Sequence, residues 1–206
     1  MTPSSYTHDV FISLSHKGDW LEWLDKWFIN RLFHHLGNEL GGRKPEFYIA
    51  RHQMYGGDTW PLELAKHHAG SRTLLALCTK PYRCSPWCQL EFAMMRQREE
   101  TLGLRTPERP GGIIVPVLAH DCDDSPEFLA TIEPIRIVGL TNLYLCKESR
   151  KAQKLDEMIE RIAVSLAKAI DAAPEYDPAW AKLSCERFLG QFQAHQTLRS
   201  QRTPPR

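Results

Sequence analysis

The stretch SPWCQLEFAMM (85–95) sets one carboxylate, Glu91, among Trp87, Leu90, Phe92, Met94 and Met95. An ionised carboxylate amid that much apolar surface is costly unless something pairs with it or it faces a cavity. The same stretch reads as a helix opening. Ser85 suits the N-cap and Pro86 the first helical position, where a missing N–H costs nothing. On such a helix Trp87 and Glu91 are i and i+4 and share a face. Two readings stand side by side. Trp87 packs in the core and Glu91 pairs with a nearby arginine such as Arg98, or the carboxylate is kept to stabilise positive charge that develops in a bound molecule.

Other residues with chemistry cluster in two polar segments. SLSHKG (13–18) offers Ser13, His16 and Lys17, of which the last two suit a phosphate. RHQMYGGDTWP (51–61) offers Arg51, a partner for a phosphate or for Glu91 itself, with Tyr55 and Trp60 as covers for a site. Gly56 and Gly57 in that segment allow a positive φ and loop movement. Cys84 and Cys88 are four apart, but no second Cys or His pair stands at a zinc-site spacing, so no metal centre is expected.

The elements that must carry these residues are legible from periodicity. HDVFISLS (8–15), EFYIA (46–50), RTLLALCT (72–79), IIVPVLA (113–119) and IRIVGL (135–140) read as strands. The Pro of the fourth is tolerable only near an edge or a bulge. Residues 18–40 and 150–170 repeat apolar positions at the helical period, and the loop after the second strand runs into a short helix ending near Ala69. KPYRC reads as a loop ahead of the Glu91 helix, and TPERPGG (106–112) ends that helix. Strands alternating with helices imply parallel βαβ units in an open, doubly wound sheet, which binds ligands at the carboxyl ends of its strands. The segments after strands one, two and three all reach that rim, and the Glu91 helix begins there.

The totals narrow the function classes. With 206 residues, 42% hydrophobic and 25% charged, the chain supports one sizeable core with an appendage. A formal net charge of +1 gives no global field for nucleic acid or a membrane surface. The N-terminus MTPSSYTHDV has no apolar signal region, and the apolar runs are too short to span a bilayer. Six cysteines without a secretion signal, in a chain able to build a core, are expected as reduced cytoplasmic thiols. From about residue 174 the pattern changes to a linker-like PEYDPAW, one more helical stretch and a frayed SQRTPPR.

Several of these segments resemble the Toll/interleukin receptor (TIR) domain family. DVFISLSH resembles its first strand, GGDTWPLEL its loop after strand two, and IIVPVL its fourth strand. SRTLLALCTKPYRCSPWCQLEF (71–92) is similar to the third strand and following helix almost throughout, with Tyr82 in the loop and Ser85, Trp87, Cys88 and Glu91 at an S-x-W-C-x-x-E spacing. The match runs over roughly residues 6–170, which implies a TIR domain at 6–172 and a C-terminal extension at 173–206. The chain departs from the family at Leu14, where an aromatic is common, near Arg51 and His52, where an acidic residue is common, and at Gly56, where a Pro usually stands. Gly56 makes the loop more flexible than a Pro would, so closure needs a trigger.

The resemblance implies a flavodoxin-like α/β fold, an open parallel five-stranded sheet with helices on both faces. It also implies one of two uses. Bacterial members that resemble this chain cleave NAD+ at the nicotinamide–ribose bond, giving nicotinamide and ADP-ribose or a cyclic ADP-ribose. They act once self-assembled, in immune defence against phage. NAD+ is then substrate and no cofactor is needed. Glu91 occupies the place of the catalytic Glu, and Trp87 with Ser13, His16, Lys17, Arg51, Tyr55 and Trp60 falls to substrate binding. Other members are adaptors that act through TIR–TIR contacts alone and do not require Glu91 or Trp87. The implied partners are NAD+, further copies of the domain, and a module or regulatory protein at the C-terminal extension, with no nucleic acid and no membrane. A phosphate-accepting receiver domain would share the topology, but strand three ends in CTK and strand one in SLSHK, without the acidic residues that such a site requires.

Overall fold

Alternate residues of the strands go to opposite faces, and both faces are apolar. In the computed structural model, which describes residues 5–49, 60–120, 129 and 131–202, β1 (His8–Ser13) leads into α1 (Trp20–Trp23). A π-helical turn (Leu24–Phe28) continues α1 into α2 (Ile29–Glu39). Then follow β2 (Phe47–Ile49), α3 (Trp60–Ala69), β3 (Ser71–Cys78), α4 (Lys80–Arg83), α5 (Pro86–Thr101), β4 (Ile114–Leu118), β5 (Ile135–Arg136), α6 (Arg150–Ala172) and α7 (Pro178–Arg202). The five strands are parallel throughout, in the order β2-β1-β3-β4-β5. This is the flavodoxin-like winding, with its switch of direction between β1 and β3.

Val10, Ile12 and Leu14, with Leu75 and Leu77 of β3, face α1, α2 and α6. Phe11, with Leu74, Ala76 and Cys78, faces α3, α5 and the Phe188 side of α7. Ser13 shares a parity with Phe11, so its hydroxyl is delivered to the α5 face. It is fully buried at the last position of β1, and its register partner on β3 is Ala76.

Three expectations from the sequence change in detail. KPYRC is not a plain loop: Thr79 caps a single helical turn, its hydroxyl accepting from the Tyr82 N–H at 3.1 Å. The fifth strand has two residues rather than six. That shortness explains Pro116. β4 is not an edge strand, but β5 pairs only with Val117 and Leu118, so Pro116 has a neighbour on the β3 side alone. No described helix is long and apolar enough to cross a membrane.

Candidate active site around Glu91

α5 begins as its sequence dictates. The Ser85 hydroxyl accepts from the Cys88 N–H at 3.3 Å and Pro86 holds the first helical position. The first turns then carry half-buried Trp87 outward and Cys88, Glu91 and Phe92 into the layer beneath the sheet.

Glu91 is fully buried. Its Oε2 is hydrogen-bonded by the Ser13 hydroxyl across 78 residues of sequence. Its Oε1 has no hydrogen-bond partner among the described residues. No basic side chain pairs with it there either, so the pairing with Arg98 does not form. Arg98 instead donates to the Ser71 carbonyl at 3.1 Å and reaches the Tyr6 hydroxyl. Burial pushes the Glu91 carboxyl up to about 8, opposed only by the Ser13 hydrogen bond.

The second layer is neutral. The Tyr82 hydroxyl lies 3.1 Å from Ser13 Oγ and donates to the Cys88 carbonyl at 3.2 Å. Burial raises the Tyr82 phenol well above its usual range and the Cys88 thiol to about 12, so both keep their protons. Beneath the helix, His68 of α3 contacts the Glu91 carbonyl through Nε2 at 2.9 Å. Burial lowers its ring to about 4, and a neutral ring with its proton on Nε2 donates that bond. His68 packs edge-on against Phe11 at 5.0 Å and 5.6 Å from Phe188 of α7, and Phe188 in turn sits 6.3 Å from Trp87.

A second buried carboxylate on the same helix supplies the contrast. Glu99 is also fully buried, eight residues on. Its Oε1 accepts from the Ile113 and Ile114 amides at 2.7 and 3.1 Å, and its Oε2 from Arg105 at 2.8 Å and Arg96 at 3.1 Å. Glu99 thus ties α5 to β4 with every oxygen engaged, as a structural carboxylate should. Glu91 has one hydroxyl and an unpartnered oxygen. A cavity of about 490 Å³ lined by Tyr82, Phe92, Arg96 and Glu100 among others follows another side of α5 and includes neither Glu91 nor Trp87.

Of the residues singled out in the sequence, Glu91 and Ser13 come together, and Trp87 stands one turn before Glu91 on α5. His16, partly buried, and Lys17, exposed, follow β1 at the carboxyl edge of the sheet. Arg51 and Tyr55 lie outside the described residues. Trp60 opens α3, and its side chain is likewise outside the described set. Tyr82 and His68 are the neighbours that periodicity does not reveal. Tyr82 stands in the S-x-W-C-x-x-E neighbourhood, but His68 is indistinguishable in sequence from its neighbour His67. Among the described residues no three His, Cys, Asp or Glu side chains gather as a metal site, and Cys78, Cys84, Cys88, Cys146 and Cys185 are all free thiols.

A family model described as the TIR domain matches residues 10–159. The chain belongs to the TIR domain family. Among solved structures it is similar to the TIR domains in the structure of the activated Roq1 resistosome directly recognizing the pathogen effector XopQ, at 21% identity over 76% of this chain and 84% of that one, with a TM-score of 0.39. No curated protein matches it. In this TIR domain, Glu91 and Trp87 stand on the helix after the third strand of the family's fold.

Proposed function

We propose that this TIR domain cleaves NAD+ at the nicotinamide–ribose bond, with Glu91 as the catalytic carboxylate. The observation that carries the reading is the unpartnered oxygen of a fully buried Glu91, set against Glu99, whose oxygens are all engaged. A carboxyl with spare capacity is free to accept from ribose hydroxyls and to stabilise the oxocarbenium-like charge of bond breaking.

One carboxylate is enough for this chemistry. Glycosidases need a second because their leaving group departs as an alkoxide, whereas the pyridinium of NAD+ leaves as neutral nicotinamide. The bond between the ribose C1 carbon and the ring nitrogen breaks, and its electron pair goes to that nitrogen. Water, or an adenine nitrogen of the same molecule, then attacks C1 to give ADP-ribose or a cyclic ADP-ribose. The cationic ring also favours the ionised form of Glu91 on arrival, since a nearby positive charge opposes the effect of burial. Trp87 is read as the flat partner of the nicotinamide or adenine ring. Ser13 holds the Glu91 carboxyl from β1, and His16 and Lys17 stand at the rim where a pyrophosphate would lie. Arg51, Tyr55 and Trp60 complete the proposed substrate set. Free thiols fit a cytoplasmic effector, and by family resemblance its role is immune defence signalling triggered by self-assembly.

One observation favours the competing reading, a non-enzymatic adaptor that works through TIR–TIR contacts. Glu91 is 0% exposed, and a substrate reaches it only after the surrounding structure opens. The deciding experiment incubates the concentrated protein with NAD+ and follows nicotinamide by chromatography, with Glu91→Gln alongside. Release by the wild type that is lost in the variant supports the enzyme. Silence of the wild type under forced self-assembly supports the adaptor.

A further inference from the structure

We propose that Ser13 is a positioning residue that sets the charge state of Glu91 through a hydroxyl relay shared with Tyr82. The proposal rests on the reading of Glu91 as the catalytic carboxylate and adds how that carboxylate is held ready.

Proton counting gives the relay its form. Ser13 has one hydroxyl proton and two oxygen neighbours, Glu91 Oε2 and the Tyr82 hydroxyl at 3.1 Å. Tyr82 likewise has one proton, with Ser13 Oγ and the Cys88 carbonyl, 3.2 Å away, within reach. When Glu91 is protonated every contact is a hydrogen bond in one direction. Glu91 donates to Ser13, Ser13 to Tyr82, and Tyr82 to the Cys88 carbonyl. When Glu91 is ionised the chain turns round, with Tyr82 donating to Ser13 and Ser13 to the carboxylate. No heavy atom has to move between the two arrangements, which differ by one proton held at Glu91.

The described surroundings of Glu91 bring no second ionised group to it. Among the described residues the polar groups that face Glu91 are Ser13 from β1, Tyr48 from β2, His68 from α3, Tyr82 from α4 and Cys88 from α5. His68 is neutral, and burial keeps Tyr48, Tyr82 and Cys88 protonated, so none of the five brings a charge. Among the described residues no cation faces Glu91, and the donor hydroxyl of Ser13 is what stabilises the anion against desolvation. Removing it strips a charge-assisted bond from the ionised form and an ordinary one from the neutral form. The carboxyl then holds its proton to higher pH.

The test follows the carbonyl band of the protonated Glu91 acid by infrared difference spectroscopy across a pH titration, with Glu91→Gln as the blank. In the wild type the band persists through neutral pH. In Ser13→Ala its midpoint moves to higher pH, and the acid limb of the nicotinamide-release profile moves with it, while Ser13→Thr restores both. Tyr82→Phe removes the donor behind Ser13 and gives a smaller shift in the same direction. It carries the test if Ser13→Ala does not fold. A midpoint unmoved in Ser13→Ala and Tyr82→Phe, or a wild type whose band is gone well below neutral pH, overturns the relay. The infrared readout needs no turnover, so the two ideas fail separately. Absence of nicotinamide with the expected band shifts sinks the enzyme and leaves the relay. Turnover with an unmoved midpoint does the opposite.

Discussion

The rings of Phe188 on α7 and Trp87 on α5 lie 6.3 Å apart, inclined at 35°. Phe188 has no exposed surface, and its ring also lies near His68, which holds the carbonyl of Glu91. Helix α7 therefore backs both a ring of α5 and the ring that holds the Glu91 carbonyl. Phe188→Ala should lower stability by about 3 kcal/mol, as large-to-small changes at fully buried aromatics do. Urea unfolding measures this directly. If Trp87 contacts substrate, the same variant should raise KM for NAD+ more than it lowers kcat, because it loosens a ring partner and leaves the carboxylate in place.

Glu91 should make the fold less stable as pH rises. Its carboxyl is pushed up to about 8 in the folded protein from an ordinary 4.5. Between these values the unfolded chain releases a proton that the folded chain retains, so stability falls with pH, fully so above about 8. At neutral pH the loss is on the order of 3 kcal/mol. Glu91→Gln has no such proton to release. The difference in unfolding free energy between wild type and variant should grow with pH across this window and then level off. A flat difference would show that Glu91 titrates alike in both states.

His68 should act with the opposite sign. Its ring is lowered to about 4 by burial, from 6.5. Its contribution is complete above 6.5 and is lost as pH falls toward 4, because the unfolded chain takes up a proton that the folded one refuses. The loss is on the order of 2 kcal/mol near pH ~5. His68→Gln keeps a side-chain donor for the Glu91 carbonyl and should remove this acid limb. From 4.5 to 6.5 the two residues oppose each other, so the wild-type curve is flatter than that of either single variant.

Glu99 should behave as a structural carboxylate throughout. Glu99→Gln leaves Arg105 and Arg96 short of a counter-charge at a buried site and should cost about 3 kcal/mol or more. The carbonyl band of Glu91 should keep its midpoint in that variant. A moved midpoint would show that the two carboxylates are coupled along α5.

Local chemistry was legible in the sequence, and chemistry assembled from distant segments was not. Ser85 and Pro86 announce the start of α5, and the i, i+4 spacing places Trp87 beside Glu91 before any tertiary contact is known. The parallel sheet follows from apolar strands alternating with helices. The length of β5 could not be read, because IRIVGL is apolar enough for six residues while the ladder with β4 registers two, closed by the Ile137 N–H on the Leu118 carbonyl. Ser13 was readable as a polar residue at the end of strand one, yet its bond to Glu91 spans 78 positions and depends on the winding that puts β1 under α5. Tyr82 reads as a loop residue until Thr79 is seen to cap its turn. Nothing in HH at 67–68 tells the half-buried ring from the fully buried one, because the partners of His68 come from β1, α5 and α7.

The place of Phe188 in the chain also sets an order on synthesis. The family match ends at residue 159, inside α6, but Ile162, Leu166 and Ile170 beyond it fill one face of the sheet and Phe188 the other. On the ribosome, β1, β3 and Glu91 emerge long before these side chains do. The nascent domain therefore waits with both layers open, and the layer around Glu91 acquires its backing only once Phe188 is out. A truncated product of translation would carry Glu91 without the packing that steadies it.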